Sequence, residues 1–207
     1  MLSFAAFGAP TVHTSDFINN ASRTNFVDFE PIGSGSGFAG TFSQDGIKVN
    51  QVNGQLNDIW SSCEGACWYS NSTLSWYPNG GDHGWTELSK TDASDFSDIG
   101  LDIGSIKFGY STLQYELLDN GVSLLLGFFT FPSGADGYIG FSGGGFDTVR
   151  LRANSGSFGA FGDNASQALA IDNIELAGGS SVPEPTSLAL LGLGLLAGLG
   201  VIGRRKS

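Results

Sequence analysis

From Asn25 to Leu176 the chain alternates short apolar runs with Gly, Asn and Asp clusters, and that spacing sets the first expectation. Asn25 to Pro31 reads as a strand closed by a proline, and Gly33 to Gly37 as a flexible turn. Phe38 to Phe42 and Gly46 to Val52 read as a hairpin turned by Gln44, Asp45 and Gly46. Ser72 to Tyr77 and Trp85 to Leu88 flank a turn at Pro78 to Asp82, and Ile103 to Tyr110 pairs with Leu113 to Leu118. Asp119, Asn120 and Gly121 turn the chain into Val122 to Phe131. Tyr138 to Phe141, Asp147 to Ala153 and Leu169 to Leu176 complete the series, and Thr91 to Asp98 alone reads as a helical turn. Strands at this spacing predict an all-β, jelly-roll-like β-sandwich over residues 10–177. Gly178 to Ser181 reads as a linker.

The pattern then changes abruptly. Ser187 to Gly203 is uncharged and is followed at once by Arg204, Arg205 and Lys206. As a helix rising ~1.5 Å per residue this stretch spans about 25 Å, the short end of what crosses a bilayer. Lipid offers no partners for backbone N–H and C=O groups, so the stretch is predicted to be a single C-terminal transmembrane helix. The basic cluster keeps its end in the cytoplasm and places everything before Pro183 on the other side. Pro183 and Pro185 fix φ and lack N–H donors, so the segment around Glu184 is extended and stays out of the helix.

Val182-Pro183-Glu184-Pro185, the apolar helix and the terminal Arg-Arg-Lys, in that order, resemble the PEP-CTERM sorting signal of Gram-negative bacteria. The resemblance covers residues 182–207. It implies a membrane-embedded processing partner, exosortase, a cut near the tripeptide, transient anchoring in the inner membrane through residues 187–203, and delivery to the cell surface or extracellular matrix. Met1 to Ala9 resembles the end of a signal peptide's apolar region without its basic start, which predicts a true start codon upstream.

Before Pro183 the chain has 6 Lys/Arg against 19 Asp/Glu, a net charge of −13. Phosphate contact needs clustered Lys or Arg, so nucleic acid is not expected as a partner. In an exported protein Cys63 and Cys67, four residues apart and the only cysteines, read as a local disulfide. All four tryptophans lie near this pair: Trp60, Trp68, Trp76 and Trp85, with Tyr69 and Tyr77 among them. Aromatic faces stack on sugar rings while edge groups select hydroxyls. Trp68, Tyr69, Trp76, Tyr77 and Trp85 are therefore the candidate sugar-binding rings, with Asn71, Asn79, Asp82 and His83 as polar partners. The competing reading places some of these rings in the core.

The early Phe-x-Asp-Phe-Glu strand, the Trp76 to Asp82 stretch and the late Ala170 to Leu176 strand also resemble the sandwich bodies of PEP-CTERM proteins and carbohydrate-binding jelly rolls. That resemblance implies a structural calcium between the first and last strands, with Asp28 or Glu30 and Asp172 as its acids and backbone carbonyls completing the shell. Catalysis is not expected. Gly140-Phe-Ser142-Gly-Gly144 matches G-x-S-x-G, but a strand and not a helix is predicted after it, so it reads as a turn. His83 beside Asp82 makes no triad by adjacency. The sequence thus predicts an exported surface or matrix protein whose sandwich binds exopolysaccharide. The alternatives are a structural surface protein without a specific ligand, or a lectin-like glycoside hydrolase.

Overall fold

The computed structural model describes residues 9–32, 36–38, 41–52, 57–61, 74–77, 84–105, 110–132, 137–155 and 169–178. Fourteen strands carry almost all of them. In chain order they are β1 (Thr11–His13), β2 (Arg23–Val27), β3 (Ser36–Phe38), β4 (Thr41–Gln44), β5 (Ile47–Val52), β6 (Asn57–Ser61) and β7 (Leu74–Tyr77). Then follow β8 (Trp85–Lys90), β9 (Phe96–Ser105), β10 (Tyr110–Asp119), β11 (Val122–Pro132), β12 (Gly137–Phe146), β13 (Thr148–Ser155) and β14 (Leu169–Ala177).

The strands form two sheets. The larger runs β1-β12-β9-β14-β7-β6-β3, with β2 also paired to β14; the smaller runs β11-β10-β13-β8-β5-β4. The pairings described are antiparallel. Period-two alternation turns one side of each strand inward. Ile99, Leu101 and Ile103 of β9, Ile139 and Phe141 of β12, and Ile171, Ile174 and Leu176 of β14 face the core from the larger sheet. Ile47 and Val49, Leu88, Leu113 and Leu117, and Val149 and Leu151 meet them from the smaller one. The expectation of an all-β sandwich thus holds. Among the described residues no helix is long and apolar enough to cross a membrane, and the predicted helix at residues 187–203 lies outside them.

Turn chemistry accounts for the two clearest hairpins. Asp45 and Gly46, then Asn120 and Gly121, adopt positive φ (45° and 76°, 49° and 78°), the combination a tight hairpin turn needs. Both were expected from sequence.

Pairing across the sequence was less predictable. In the expected pairing of Ile103 to Tyr110 with Leu113 to Leu118, the described start of the first run, Ile103 to Ser105, belongs to β9, which lies between β12 and β14 in the larger sheet, while β10 lies between β11 and β13 in the smaller. Each strand has a buried apolar side, and the two sides face each other across the core. The run Phe38 to Phe42 also divides, because β3 pairs with β6 in the larger sheet and only β4 forms the hairpin with β5. The strand expected to reach Pro31 ends at Val27; Phe29 turns through φ 57°, and Glu30–Ile32 is a 3-10 turn. The helical turn expected at Thr91 to Asp98 is instead a tight turn followed by strand. Asp92 Oδ1 accepts the Ser94 N–H (3.0 Å) and hydroxyl (2.7 Å), which competes with helical bonding, and buried Phe96 restarts the strand.

Candidate functional site

The outer face of the six-stranded sheet carries a straight polar row. Cross-strand register sets Thr41 against Asn50, Asn50 against Glu87, Glu87 against Arg150, Arg150 against Glu116, and Glu116 against Leu126. The hydroxyl of Thr41 donates to Asn50 Oδ1 at 2.6 Å. Arg150 donates through Nε to Glu87 and reaches Glu116 through Nη1 at 3.7 Å. Opposite charges on facing strands stabilise a sheet, by about 1 kcal/mol or less per partly exposed pair. A guanidinium has five N–H donors, more than these two contacts use.

A second row lies beside the first. Val52 faces Trp85, and Arg152 faces Gln114, which faces Phe128. Arg152 joins these groups: its Nε donates to Gln114 Oε1 at 2.6 Å, and its Cζ lies 4.3 Å from the centre of the Trp85 ring. Burial pulls the Arg152 guanidinium below its ordinary pKa, opposed by the charge of Glu116. The indole is half-buried and fixed by a planar cation. Together these groups offer an apolar ring, two guanidinium groups, two carboxylates, amides and a hydroxyl on one sheet face. Planar donors and acceptors around an aromatic ring match the alternating apolar faces and equatorial hydroxyls of a sugar.

The structure divides the aromatic residues expected to bind sugar. Trp85 lies on this face. Trp76 does not: it is fully buried, stacked on Phe29 with ring centres 6.4 Å apart, and among the described residues its Nε1 has no hydrogen-bond partner. Its strand runs through the interior of the larger sheet, where even neighbouring Ser75 is buried, so Trp76 is a core ring and not a sugar platform. Tyr77 ends β7 opposite Asp58, and Trp60 pairs with Ser75; both are described by backbone alone. Trp68, Tyr69, Cys63, Cys67, Asn71, Asn79, Asp82 and His83 lie outside the described residues, as do Val182 to Pro185 and Arg204 to Lys206.

The acids expected around calcium lie near the β2–β14 pairing. Asp28 follows Val27, which pairs with Ile174, and its Oδ1 accepts from Gln44 Nε2 at 2.8 Å and from the Glu30 N–H at 3.3 Å. Asp172 is fully buried and accepts the Asn173 N–H at 2.7 Å. Glu30 is exposed. Among the described residues no group of three or more His, Cys, Asp or Glu could hold a metal ion.

The G-x-S-x-G run is not a free turn. Gly140 to Gly144 lies within β12, at an irregularity between Ser142 and Phe146. Ser142 Oγ is 2.8 Å from His13 Nε2, a pairing the sequence gave no reason to expect. Asp98 faces Ser142 from the strand on the other side, so the serine stands between acid and imidazole, and Phe17 stacks on His13 with ring centres 3.9 Å apart. That order is not the one in which an acid orients a catalytic histidine.

On the larger sheet, Tyr138 of β12 donates its hydroxyl to Glu175 Oε1 of β14 at 3.2 Å. Gly100 lies directly under the Tyr138 hydroxyl, and any Cβ there would collide with it. Burial raises the Tyr138 pKa above its ordinary range. Burial also raises the Glu175 carboxyl, as does the charge of Asp16, while Tyr138 and Arg23 oppose the shift. A raised folded-state pKa means the folded protein holds its proton to higher pH than the unfolded chain. Ionising Glu175 therefore costs stability as pH rises through that window, and the loss persists above it. Glu175→Gln keeps an acceptor for Tyr138 and loses only the partly exposed Arg23 contact at 4.0 Å. Its melting temperature should exceed that of the parent at pH 7, and the difference should close below the ordinary carboxyl range. Melting curves between pH 3 and 8 check this.

Residues 181–206 match the model of the PEP-CTERM protein-sorting motif. The chain carries a PEP-CTERM sorting motif. The motif implies export, exosortase processing and sorting to the cell surface. No curated protein matches the chain. Among solved structures, the chain is similar to a DUF4465 family protein from Bacteroides caccae: 11% identity over 75% of this chain and 100% of that one, TM-score 0.48. It is also similar to a family 11 carbohydrate-binding module of a cellulosomal cellulase of Clostridium thermocellum: 19% identity over 75% and 94%, TM-score 0.35. A family 11 module from the same organism, in complex with a mixed-linked tetrasaccharide, gives 17% identity over 81% and 96%, TM-score 0.32.

Local sequence pattern does not reveal the residues that build this polar face. Gln114, Glu116, Arg150 and Arg152 belong to strands far from the tryptophan-rich stretch, and only the register brings them beside Trp85. One signal was present: Arg150 and Arg152 occupy alternate positions in a body with only 6 basic residues, which marks one face of one strand.

Proposed function

We propose that this is an exported sugar-binding protein that holds an exopolysaccharide across the outer face of its six-stranded sheet. In this reading exosortase processes the chain near Pro183-Glu184-Pro185 and releases the sandwich to the surface or matrix, after transient anchoring through residues 187–203. The supporting observation is Trp85, half-buried beneath the Arg152 guanidinium and flanked by the row from Thr41 to Glu116. The strongly acidic body favours neutral or basic glycans over acidic ones. Calcium held by Asp28 or Glu30 with Asp172, the shell completed by backbone carbonyls, is proposed as a structural element only, and the Cys63–Cys67 disulfide as a local clamp.

Trp85→Ala should weaken binding to the host's purified exopolysaccharide by about tenfold or more, the loss expected for a central aromatic contact. Arg152→Lys should weaken it too, because an ammonium cannot reproduce a planar fork. Melting temperatures of both variants should stay close to the parent's. Affinity electrophoresis in gels cast with the polysaccharide reads the binding. One observation favours the second reading, a structural surface protein without a ligand: Glu87 and Glu116 already engage Arg150 from both sides, so the row is self-consistent without sugar. Binding unchanged in Trp85→Ala would decide for that reading.

A further inference from the structure

Strand β11 closes one end of the six-stranded sheet, and among the described residues its strand neighbour is β10 alone. Its outward side chains Val122, Leu124, Leu126 and Phe128 are 64%, 45%, 53% and 59% exposed. A terminal strand offers backbone donors and acceptors to whatever lies beside it. Proteins usually blunt such an edge with charge, proline, bulges or short length. β11 is long, and from Val122 to Phe131 it has no charged residue and no proline, in a body that carries −13. The irregularity in its pairing lies near the first turn, between Leu117 and Leu118 of β10.

We propose that a second copy of this chain occupies this edge, adding β11 to β11 antiparallel about a two-fold axis at Leu126. Two features select a second copy. Pairing about Leu126 sets Leu126 on Leu126, Leu124 on Phe128 and Val122 on Thr130 on the outer face. On the inner face it sets Leu125 on Gly127, a branched side chain beside none. A two-fold interface requires this kind of self-complementarity. Second, a foreign partner chosen for the body's acidity would need carboxylates to pair with, and β11 has none. Recognition there rests on backbone bonds and apolar contact, which an identical strand supplies in register. Joining two six-stranded sheets would extend the outer face across both copies. The inference stands whether or not that face binds sugar.

Both copies are acidic, so their long-range repulsion must be screened, and association should tighten with salt. Sedimentation equilibrium of the full-length chain in detergent micelles tests this. The expected result is a dimer that tightens about tenfold or more between roughly 0.05 M and 0.5 M sodium chloride. Leu126 is half exposed, so Leu126→Lys and Leu126→Asp keep the fold while placing like charges across the axis. Each variant alone should dimerise about tenfold or more weakly, and an equimolar mixture of the two should recover the dimer. A monomer at every salt concentration overturns the proposal. So does a dimer indifferent to both substitutions, which is what association through the tail would give. A monomer that instead binds phosphatidylcholine vesicles through Leu126 overturns it as well.

Discussion

Replacing Pro183, Glu184 and Pro185 together with alanine is expected to leave the protein full-length and membrane-bound in its native host, while the parent appears outside the cell shortened near the tripeptide. Each proline fixes φ and withholds an N–H, so the sequence predicts a stiff, extended segment just outside the predicted helix. An enzyme that binds such a segment loses little entropy in doing so. Alanine is the best helix former, so the substituted segment is expected to lose the extended conformation that proline enforces and to extend the predicted helix. The effect should be close to all-or-none. Intact mass and cell fractionation read both outcomes. A substituted protein still cut and released would show that the tripeptide is not what the processing enzyme reads. A parent that also stays full-length in the membrane would show an ordinary anchor.

The second large effect concerns stability. Trp76→Ala should destabilise the fold by about 3–5 kcal/mol, the range for deleting a large buried aromatic side chain. Against total stabilities of about 5–15 kcal/mol this brings the protein close to unfolding. Trp76 is fully buried and stacked on Phe29, which in turn contacts Phe42 of the opposite sheet with ring centres 5.3 Å apart. Its strand meets β14 at the pair Ile171 and Trp76, so the ring joins the two sheets at a sparse point of backbone pairing. Trp76→Phe should cost well under half as much. It leaves a smaller cavity and removes a buried N–H that has no partner among the described residues, itself a penalty of about 1–3 kcal/mol. Urea midpoints for parent and variants check the ranking, with an unchanged slope confirming a change in stability alone. Equal losses for Ala and Phe would mean the indole N–H is satisfied in solution.

These two tryptophans also show what could be read from sequence. Alternation located most strands, and Asp45-Gly46 and Asn120-Gly121 fixed their hairpins because the turn demands positive φ. Alternation says which residues share a face; it does not say to which sheet the strand belongs. Trp76 and Trp85 look alike in sequence, yet one enters the larger sheet facing inward and the other enters the smaller sheet facing outward. The same ambiguity misassigned β9 and β10 as partners. The ladder from Thr41 to Glu116 begins in the β4–β5 hairpin that the turn signal reveals, but it then depends on three pairings between strands distant in sequence, and local pattern holds no information about those. His13 and Ser142, 129 positions apart, meet for the same reason. The sorting motif was legible because its elements are contiguous and act as a linear signal.

The position of β14 has a consequence for biogenesis. The strand lies inside the larger sheet, bonded to β9, β7 and β2, yet it is the last strand of the sandwich, and Pro183 follows its neighbour Gly178 by five residues. During synthesis the earlier strands lack the element that joins β2 and β7 to β9. The sheet cannot close until the sorting motif itself is about to leave the ribosome. Closure of the larger sheet therefore waits for a strand that ends six residues before Pro183. The residues that complete the larger sheet and those that carry the address thus lie side by side in the chain.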